Sequence, residues 1–386
     1  MTKNKPTNAL TAEICGSINK VNELDWDRCL DSDHPFMRHA FFYALEQSGS
    51  ANAETGWLPR HILIRQNNVL VGAMPMYLKN HSAGEYVFDH GWADAFSQAG
   101  GNYYPKLQVS VPFSPVTGPR ILVSPIACSP QEVRDKIINT ALDQCKTLNA
   151  SSIHITFPSE QDWNFLGKTG LMQRTGIQFH WKNSNYKSFE DFLSSLSSRK
   201  RKKINRERRN FFEGDITISE LKGLEIKEHH WDHFYFFYNN TTNRKWGIPY
   251  LTREFFSLLS QLMPEQIVIF IAERNGKPIA GALNLIGNSV MYGRNWGCIE
   301  SHPFLHFELC YYRAIEFSIR NQLFRVEAGA QGLHKLSRGY LPTPTYSAHW
   351  ILNKELRDAV NNYLNKETTM INNEIKSIAK YSPYRN

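Results

Sequence analysis

The sequence lacks the features of a secreted or membrane-spanning protein. Its six cysteines are scattered and show no CxxC spacing, which predicts free thiols in a reducing compartment and argues against a disulfide frame or a zinc site. No run approaches the roughly 20 apolar residues that a membrane span needs, and residues 1–20 have no apolar core of signal-peptide length. We therefore expect a soluble, cytoplasmic protein without a metal, with peripheral attachment to the inner membrane as an alternative.

The sequence also has no low-complexity segment. Its 386 residues are 41% hydrophobic and 13% aromatic, enough for two or three domains with sizeable cores. The composition gives no indication of an oligomeric state.

Excess positive charge is confined to one segment. The net charge is +8, and residues 199–209 supply +7 of it through eight basic residues and one acid, Glu207. Apolar spacing predicts one long helix from the N-cap Ser188 to Phe211, with the basic run on its outer face. Such local charge attracts phosphates or an anionic surface. The predicted anion-binding residues are Arg201, Lys202, Arg206 and Arg209.

Two segments of the chain resemble each other in order and pattern. An aromatic helix predicted over Pro35–Gln47 precedes a hairpin with Gly72 in its second strand, and a helix over Pro249–Gln261 precedes a hairpin with Gly281. A repeated order of elements predicts a duplicated domain. We place an N-terminal α+β domain at 10–180 and a C-terminal one at 181–386.

The remaining pattern predicts mixed sheets in an α/β fold. In the first half we expect a strand over Tyr86–Trp92, an irregular region over Asp94–Pro119, and a helix over Pro130–Leu148. In the second half a strand, a helix and a strand over 289–327 predict a parallel pair, whose carboxyl ends are common ligand sites. A helix over 353–380 closes the chain.

The densest group of chemically capable residues follows the strand that ends at Glu327. Glycines there allow close approach of a ligand or positive φ, cations suit a phosphate or carboxylate, and a histidine has the pKa of a general base. The group contains Glu327, Gly329, Gln331, Gly332, His334, Lys335, Arg338 and His349. A second group, around Arg294 and Trp296, precedes a helix that carries Tyr312.

The segment Gly329–Gly339 resembles the signature of a bacterial family called FemAB-like, or predicted N-acyltransferases of the GNAT superfamily. Other blocks that resemble this family are 89–93, 100–108, 240–247 and 305–308. The resemblance covers about residues 10 to 380. It implies two GNAT-like domains in tandem, as in Fem ligases, in agreement with the repeat.

The resemblance also implies a chemistry, which is transfer of an acyl group to an amine by direct attack. It implies His334 or Glu327 as the base and Tyr312 as the acid, with Lys335 and Arg338 holding an anionic group. Arg294 and Trp296 would line the pocket, and Gly329, Gln331, Gly332 and His349 complete the predicted substrate- or donor-binding set.

The identity of the acyl donor stays open at the level of sequence. Acyl-CoA is the expected co-substrate, but residues 297–305, where most acetyl-CoA-binding GNATs have a glycine-rich loop, hold one glycine. The first alternative is therefore a Fem-type ligase that uses aminoacyl-tRNA to modify a cell-wall precursor. In that case the basic helix would contact tRNA or an anionic membrane surface. The second alternative is a non-catalytic protein that binds peptidoglycan fragments or anionic lipid.

Overall fold

The structure, a computed structural model, describes residues 9–212, 215–244, 247–329 and 332–385. The chain divides into two compact units. Unit 1 contains the residues up to Gly176 together with Thr345–Ile371, and unit 2 contains Ile177–Pro344 together with the residues from Asn372 onwards. The sequence-based division at 180/181 differs from these units chiefly at 345–371, which belongs to unit 1.

Helices and strands are interspersed throughout the described residues. The helices are α1 (Glu23–Arg28), α2 (His39–Gln47), α3 (His90–Gln98), α4 (Pro130–Thr147), α5 (Glu160–Lys168), α6 (Phe189–Ser195), α7 (Ser198–Phe212), α8 (Glu228–Arg244), α9 (Arg253–Leu262), α10 (Leu305–Phe307), α11 (Arg313–Arg320) and α12 (Lys354–Ala379). The strands are β1 (Leu10–Cys15), β2 (Trp57–Pro59), β3 (His61–Gln66), β4 (Val69–Met74), β5 (Tyr77–Lys79), β6 (Lys106–Val109), β7 (Leu122–Val123), β8 (Ser152–Thr156), β9 (Met172–Lys182), β10 (Ile216–Lys222), β11 (Ile267–Arg274), β12 (Lys277–Ile286), β13 (Val290–Cys298), β14 (Arg325–Glu327) and β15 (Leu341–Ile351). Within the described ranges, no helix is both long enough and apolar enough to cross a bilayer.

Unit 1 contains two groups of paired strands. One has the order β1-β3-β4-β7, and in the other β15, β8, β6, β5 and β2 are neighbours in that order. Strands β6 and β8 run parallel, and the C-terminal part of β15 pairs with β8. This pairing is why residues 345–351 join unit 1. Helix α4 covers the sheets through Val133, Ile137 and Ala141, which are buried among β-strand side chains.

Unit 2 has one mixed sheet with the order β10-β11-β12-β13-β14-β9. Strands β13 and β14 are parallel, with the helical segment 305–320 between them, as the sequence predicted. Its core joins aromatic and aliphatic side chains from the sheet, α6, α7 and α11. Strand β14 ends at Glu327, so the residues that follow it lie at the carboxyl end of a parallel pair.

The repeated helix and hairpin occur in both units. Ile64 lies opposite Gly72 in the β3–β4 hairpin, and Ile271 lies opposite Gly281 in the β11–β12 hairpin. A helix approaches each glycine closely, because an added Cβ would lie 2.4 Å from Val133 Cγ1 at Gly72 and 2.9 Å from Phe234 Cδ2 at Gly281. Each glycine therefore makes room for a helix, which is α4 at Gly72 and α8 at Gly281.

Three predictions are wrong. The region Asp94–Pro119, expected to be irregular, contains part of α3 and all of β6. The expected strand Tyr86–Trp92 is instead a loop followed by α3, because Trp92 and Phe96 are one helical turn apart and both pack on the cluster around α12. The expected single helix over 188–211 is two helices. Its break is at Leu196, an extended residue that pairs with Tyr384, while the Ser197 amide donates to the Pro383 carbonyl. Ser188 does cap α6, as predicted.

Candidate functional site

The loop after β14 has the conformation that its glycines permit. Gly329, Gly332 and Gly339 all have positive φ, of 77°, 119° and 93°, as the sequence predicted. The last two flank a short 3-10 helix over Leu333–Arg338. An added Cβ at Gly332 would lie 2.6 Å from His334 Cε1, so this glycine sets the position of the imidazole. Gln331 lies outside the described residues.

Arg338 is the centre of a buried polar network. Its guanidinium donates to both carboxylate oxygens of Glu207, at 2.9 and 2.8 Å, and to the Tyr312 hydroxyl at 3.1 Å. It also donates to the His334 carbonyl at 2.8 Å. The Tyr312 hydroxyl donates in turn to Glu207. Each of Arg338, Glu207 and Tyr312 is at most 3% exposed, so this network is closed to solvent.

His334 has an exposed imidazole above that network. Its Nε2 is 2.8 Å from the Tyr311 hydroxyl, and the rings of His306 and Phe307 lie 6.1 and 5.6 Å away. Partial burial, together with the positive charges of Arg338 and Lys335, lowers the pKa of His334. The imidazole is therefore neutral at neutral pH and able to accept a proton.

A π-helical turn over Glu308–Tyr312 presents two tyrosines to the site. Such turns are rare in proteins, and those that occur often lie at functional sites. Here the widened turn lets neighbouring residues serve different partners. Tyr311 reaches His334, and Tyr312 reaches Glu207 and Arg338. Burial raises the pKa of both hydroxyls well above the usual value, so both stay protonated.

Lys335 and Glu327 are buried beside the loop. The Lys335 ammonium donates to the carbonyls of Ala328 and Gly329, at 2.7 and 3.0 Å. Burial, assisted by the charge of Arg294, lowers the pKa of Lys335 to about 8. Glu327 accepts from Arg325 at 2.8 Å and is 0% exposed. Lys335 thus fixes the backbone at the end of β14, and Glu327 is buried in an ion pair with Arg325.

The other predicted pocket residues fall in two places. Arg294 and Trp296 are half-buried on β13, and the Trp296 ring lies 5.2 Å from that of His306. The structure thereby joins the two groups that the sequence had separated. His349 is elsewhere: it lies in unit 1, 1% exposed, with Nδ1 2.7 Å from that of His154.

The basic segment forms helix α7, which has two distinct faces. Ile204, Glu207 and Phe211 are buried, and they are three to four residues apart on one side. Arg208 also turns inward, to Glu308 and Glu316. The solvent-facing part of the helix lines a cleft of about 800 Å³. Its lining residues are Arg199, Lys200, Lys202, Lys203, Asn205, Arg206 and Arg209. We call these residues the cationic face.

Unit 1 contains a second charge network that the sequence analysis did not identify as a site. Lys106 donates to Ser82 at 2.8 Å, to Glu85 at 2.7 Å and to Asp89. The Tyr103 hydroxyl donates to Asp89 at 2.8 Å. All of these side chains are less than 9% exposed. We call Ser82, Glu85, Asp89, Tyr103 and Lys106 the unit 1 network.

Charged groups in and beside this network have shifted pKa values. Lys79 lies 3.9 Å from Glu85, and burial lowers the pKa of Lys79 to about 7 and raises that of Glu85 to about 7. His154 lies 3.2 Å from the Tyr103 hydroxyl, and burial lowers its pKa to about 3.

Signals for the missed residues were present in the sequence. Asp89, Tyr103 and Lys106 lie within the blocks that resemble the family, and the structure brings these separate blocks together. Glu207 is the single acid of the basic run, which already sets it apart from its neighbours in the chain. Tyr311 had no local signal, because its role depends on the π-helical turn.

Comparison with solved structures shows the fold. FemX is 11% identical with a TM-score of 0.54, and the match covers 88% of this chain and 98% of that chain. The C-terminal domain of a putative lysylphosphatidylglycerol synthetase from Agrobacterium fabrum is 8% identical with a TM-score of 0.52, covering 90% and 96%. A protein of unknown function from Bacteroides thetaiotaomicron is 12% identical with a TM-score of 0.52, covering 89% and 100%.

Sequence comparison shows the family. No curated protein sequence matches this chain, whereas the FemAB_like family, described as peptidoglycan biosynthesis/recognition, matches residues 17–386. The predicted fold class, α/β with tandem duplicated GNAT-like domains, is confirmed. Because the match spans nearly the whole chain, the protein belongs to the FemAB-like family of peptidoglycan biosynthesis or recognition.

Proposed function

We propose that this protein is an N-acyltransferase that modifies an amine of a cell-wall precursor, with its site around His334 in unit 2. The observation that supports this proposal best is an exposed, neutral imidazole that is held by Tyr311 over a buried Arg338. A neutral imidazole accepts a proton, and a buried cation stabilises negative charge that develops nearby. Family membership supports the cell-wall precursor as the acceptor class.

His334 acts as the general base in this proposal. The amine nitrogen attacks the acyl carbonyl carbon, a C–N bond forms, and the proton on nitrogen passes to the imidazole of His334. The tetrahedral intermediate then collapses, the bond from carbon to the leaving sulfur or oxygen breaks, and the leaving group takes a proton. No covalent enzyme intermediate is required.

Tyr311 is a better candidate for the acid than Tyr312. The Tyr312 hydroxyl already donates to Glu207 and accepts from Arg338. The Tyr311 hydroxyl contacts His334, so a proton gained by the imidazole can be passed on there. Tyr312, the acid predicted from the sequence, instead helps to hold Arg338.

The cationic face of α7 supports a polyanionic acyl donor, and aminoacyl-tRNA is the donor that we favour over acyl-CoA. The face has cations along about 15 Å of helix, a length suited to several phosphates of one RNA strand. Insertion into a membrane is disfavoured, because the apolar side of α7 is buried in the protein core. Phosphate contacts make binding strongly dependent on salt.

The first experiment tests catalysis. Purified protein is incubated with muropeptides and either acyl-CoAs or charged tRNA, and acylated products are detected by mass spectrometry. We expect His334→Ala to lower turnover at least about a hundredfold, the size of a general-base effect. His229→Ala, at an exposed histidine of the same unit, serves as the matched control. Full activity of His334→Ala would remove this residue from the mechanism, and binding of muropeptide without any product would favour a non-catalytic binding protein.

The second experiment tests the donor. Binding of tRNA is measured at several salt concentrations for the wild type, for Lys202→Gln/Arg206→Gln, and for Lys376→Gln/Lys380→Gln, a pair with the same charge change on or just beyond α12. We expect only the first pair to weaken binding and to reduce the salt slope, by about one unit per lost phosphate contact. Equal effects of both pairs would show nonspecific attraction. Binding of anionic vesicles but not tRNA would overturn the RNA assignment.

A further inference from the structure

We propose that Glu207 is a positioning residue, which fixes Arg338 and thereby the His334 segment. The contacts of Glu207 with Arg338 and Tyr312 are independent of any activity, whereas the effect of Glu207 on catalysis rests on the proposed function. The sequence shows Glu207 as the one acid in a strongly basic run, a position where a surface ion pair would be the ordinary explanation.

The contacts of Glu207 exclude that ordinary explanation. Lys203, one turn earlier on α7, lies 3.9 Å away and its side chain is 45% exposed, whereas the Glu207 side chain is 3% exposed. The carboxylate points into unit 2, where it takes two hydrogen bonds from Arg338 and one from Tyr312. One guanidinium nitrogen, Nη2, contacts both carboxylate oxygens, while Nε donates to Tyr312 and Nη1 to the His334 carbonyl, so all three nitrogens are engaged and the plane of the guanidinium is fixed.

Arg338 transmits this constraint to the site. Its guanidinium carbon lies 3.4 Å from the ring centroid of Phe307, and another nitrogen donates to the His334 carbonyl. Phe307 in turn lies against both Tyr311 and His334, at 6.1 and 5.6 Å between ring centroids. Glu207 therefore acts from α7 on a backbone carbonyl and on an aromatic neighbour of the imidazole.

A buried carboxylate without such a task would be costly. Charged groups inside a protein carry a desolvation penalty of several kcal/mol per ion, which is offset only by good geometry and further hydrogen bonds. Both conditions hold at Glu207, since its partners are a guanidinium and a hydroxyl that are themselves buried. The cost is consistent with a carboxylate that is kept for orientation.

The test is an NMR titration of histidine side chains in the full-length protein. The His334 resonance is assigned by its absence in His334→Gln. The ionisable groups that face His334 are Arg338 and Lys335 on its own segment, Tyr311 on the π-helical turn, and His306. We expect Glu207→Gln to lower the pKa of His334 by on the order of half a unit, because Arg338 loses the negative charge that offsets it.

The controls distinguish an effect specific to Glu207 from the general effect of removing one negative charge. Glu190→Gln, at an exposed glutamate of α6, makes the same charge change and should leave the pKa of His334 unmoved. If Glu207→Gln does not fold, the double variant Glu207→Gln/Arg338→Gln removes both charges, and the pKa of His334 should then rise. An unchanged pKa in either Glu207 variant would overturn the proposal.

An activity measurement then tests whether the position of Arg338 and His334 affects catalysis. We expect Glu207→Gln to lower kcat about tenfold or more with KM little changed, because substrate contacts remain while the base is misplaced. Retained kcat together with a shifted pKa would overturn the catalytic part. A wild-type protein without turnover would contradict the proposed function and leave the titration result standing.

Discussion

The two units contain charge networks of similar composition and different access. In unit 1, Lys106 is enclosed with Glu85 and Asp89, and all three are at most 3% exposed. In unit 2, Arg338 and Glu207 are buried as deeply, but the segment that they hold carries the exposed imidazole of His334. The unit 1 network is buried throughout, whereas the Arg338–Glu207 network of unit 2 contacts a segment with an exposed side chain.

This difference indicates how a duplicated frame can serve two purposes. Both units contain the helix and hairpin with a glycine opposite an isoleucine. The blocks that resemble the family occur in both, yet those of unit 1 build an internal network, whereas the described residues of the Gly329–Gly339 segment in unit 2 carry the exposed imidazole of His334. Resemblance of motifs therefore does not by itself distinguish a buried structural cluster from a candidate functional site. Exposure of a side chain to solvent distinguishes them.

The largest expected effect is on the unit 1 network. Lys106→Met removes the cation and leaves Glu85 and Asp89 buried without it, which should cost about 3–5 kcal/mol of unfolding free energy. Urea denaturation followed by fluorescence measures this. Adding Glu85→Gln and Asp89→Asn should recover much of the loss, because the uncompensated charges are then gone. A loss below about 1 kcal/mol for Lys106→Met would show that the network is not structural.

The duplicated glycines allow a paired comparison of the hairpins. We expect Gly72→Ala and Gly281→Ala each to cost about 1–3 kcal/mol through overpacking. Gly72→Ala should cost more, because its Cβ would lie 2.4 Å from Val133, against 2.9 Å from Phe234 at Gly281. Thermal and urea denaturation measure both. A stabilising effect at either position would contradict the close helix approach.

Acid should destabilise both units through buried histidines. Burial lowers the pKa of His154 to about 3 and that of His180 to about 4, from 6.5. Below pH 6.5 the unfolded chain binds protons that the folded chain does not, so stability falls as the pH falls towards 4, by at most about 1.4 kcal/mol per pH unit for each histidine. Denaturation at pH 6.5, 5.5 and 4.5 measures the slope. His180→Gln should reduce the slope of the unfolding free energy against pH by the contribution of one proton. An unchanged slope would contradict the lowered pKa of His180.

The smallest expected effect on stability is at the site itself. His334→Gln should change the unfolding free energy by no more than about 0.5 kcal/mol, as for other exposed positions. The same urea series measures it beside Lys106→Met. A large loss would mean that His334 is a structural residue, and the contrast between the two networks would disappear.

Local patterns were sufficient for most elements of unit 2. The amphipathic period predicted the helices, the alternation predicted β10–β13, and the strand, helix and strand pattern predicted the parallel pair β13 and β14. The same reasoning failed for α3, because residues 86–92 show no clear helical or strand period. It also missed β15, whose partner β8 is almost 200 residues earlier in the chain. The break at Leu196 depends on residues 383 and 384, which no local window contains.

The sequence by itself determined the duplication, the family, the cationic run and the glycines that turn the loop before His334, because each depends on residues that are close in the chain. The tertiary structure alone decided which of these residues meet. It placed His349 in unit 1, joined Lys106 to Asp89, and turned Glu207 inward to Arg338. Those partners are separated by 17 to 195 residues, and packing of distant elements, which leaves no local trace, sets their contacts and their pKa values.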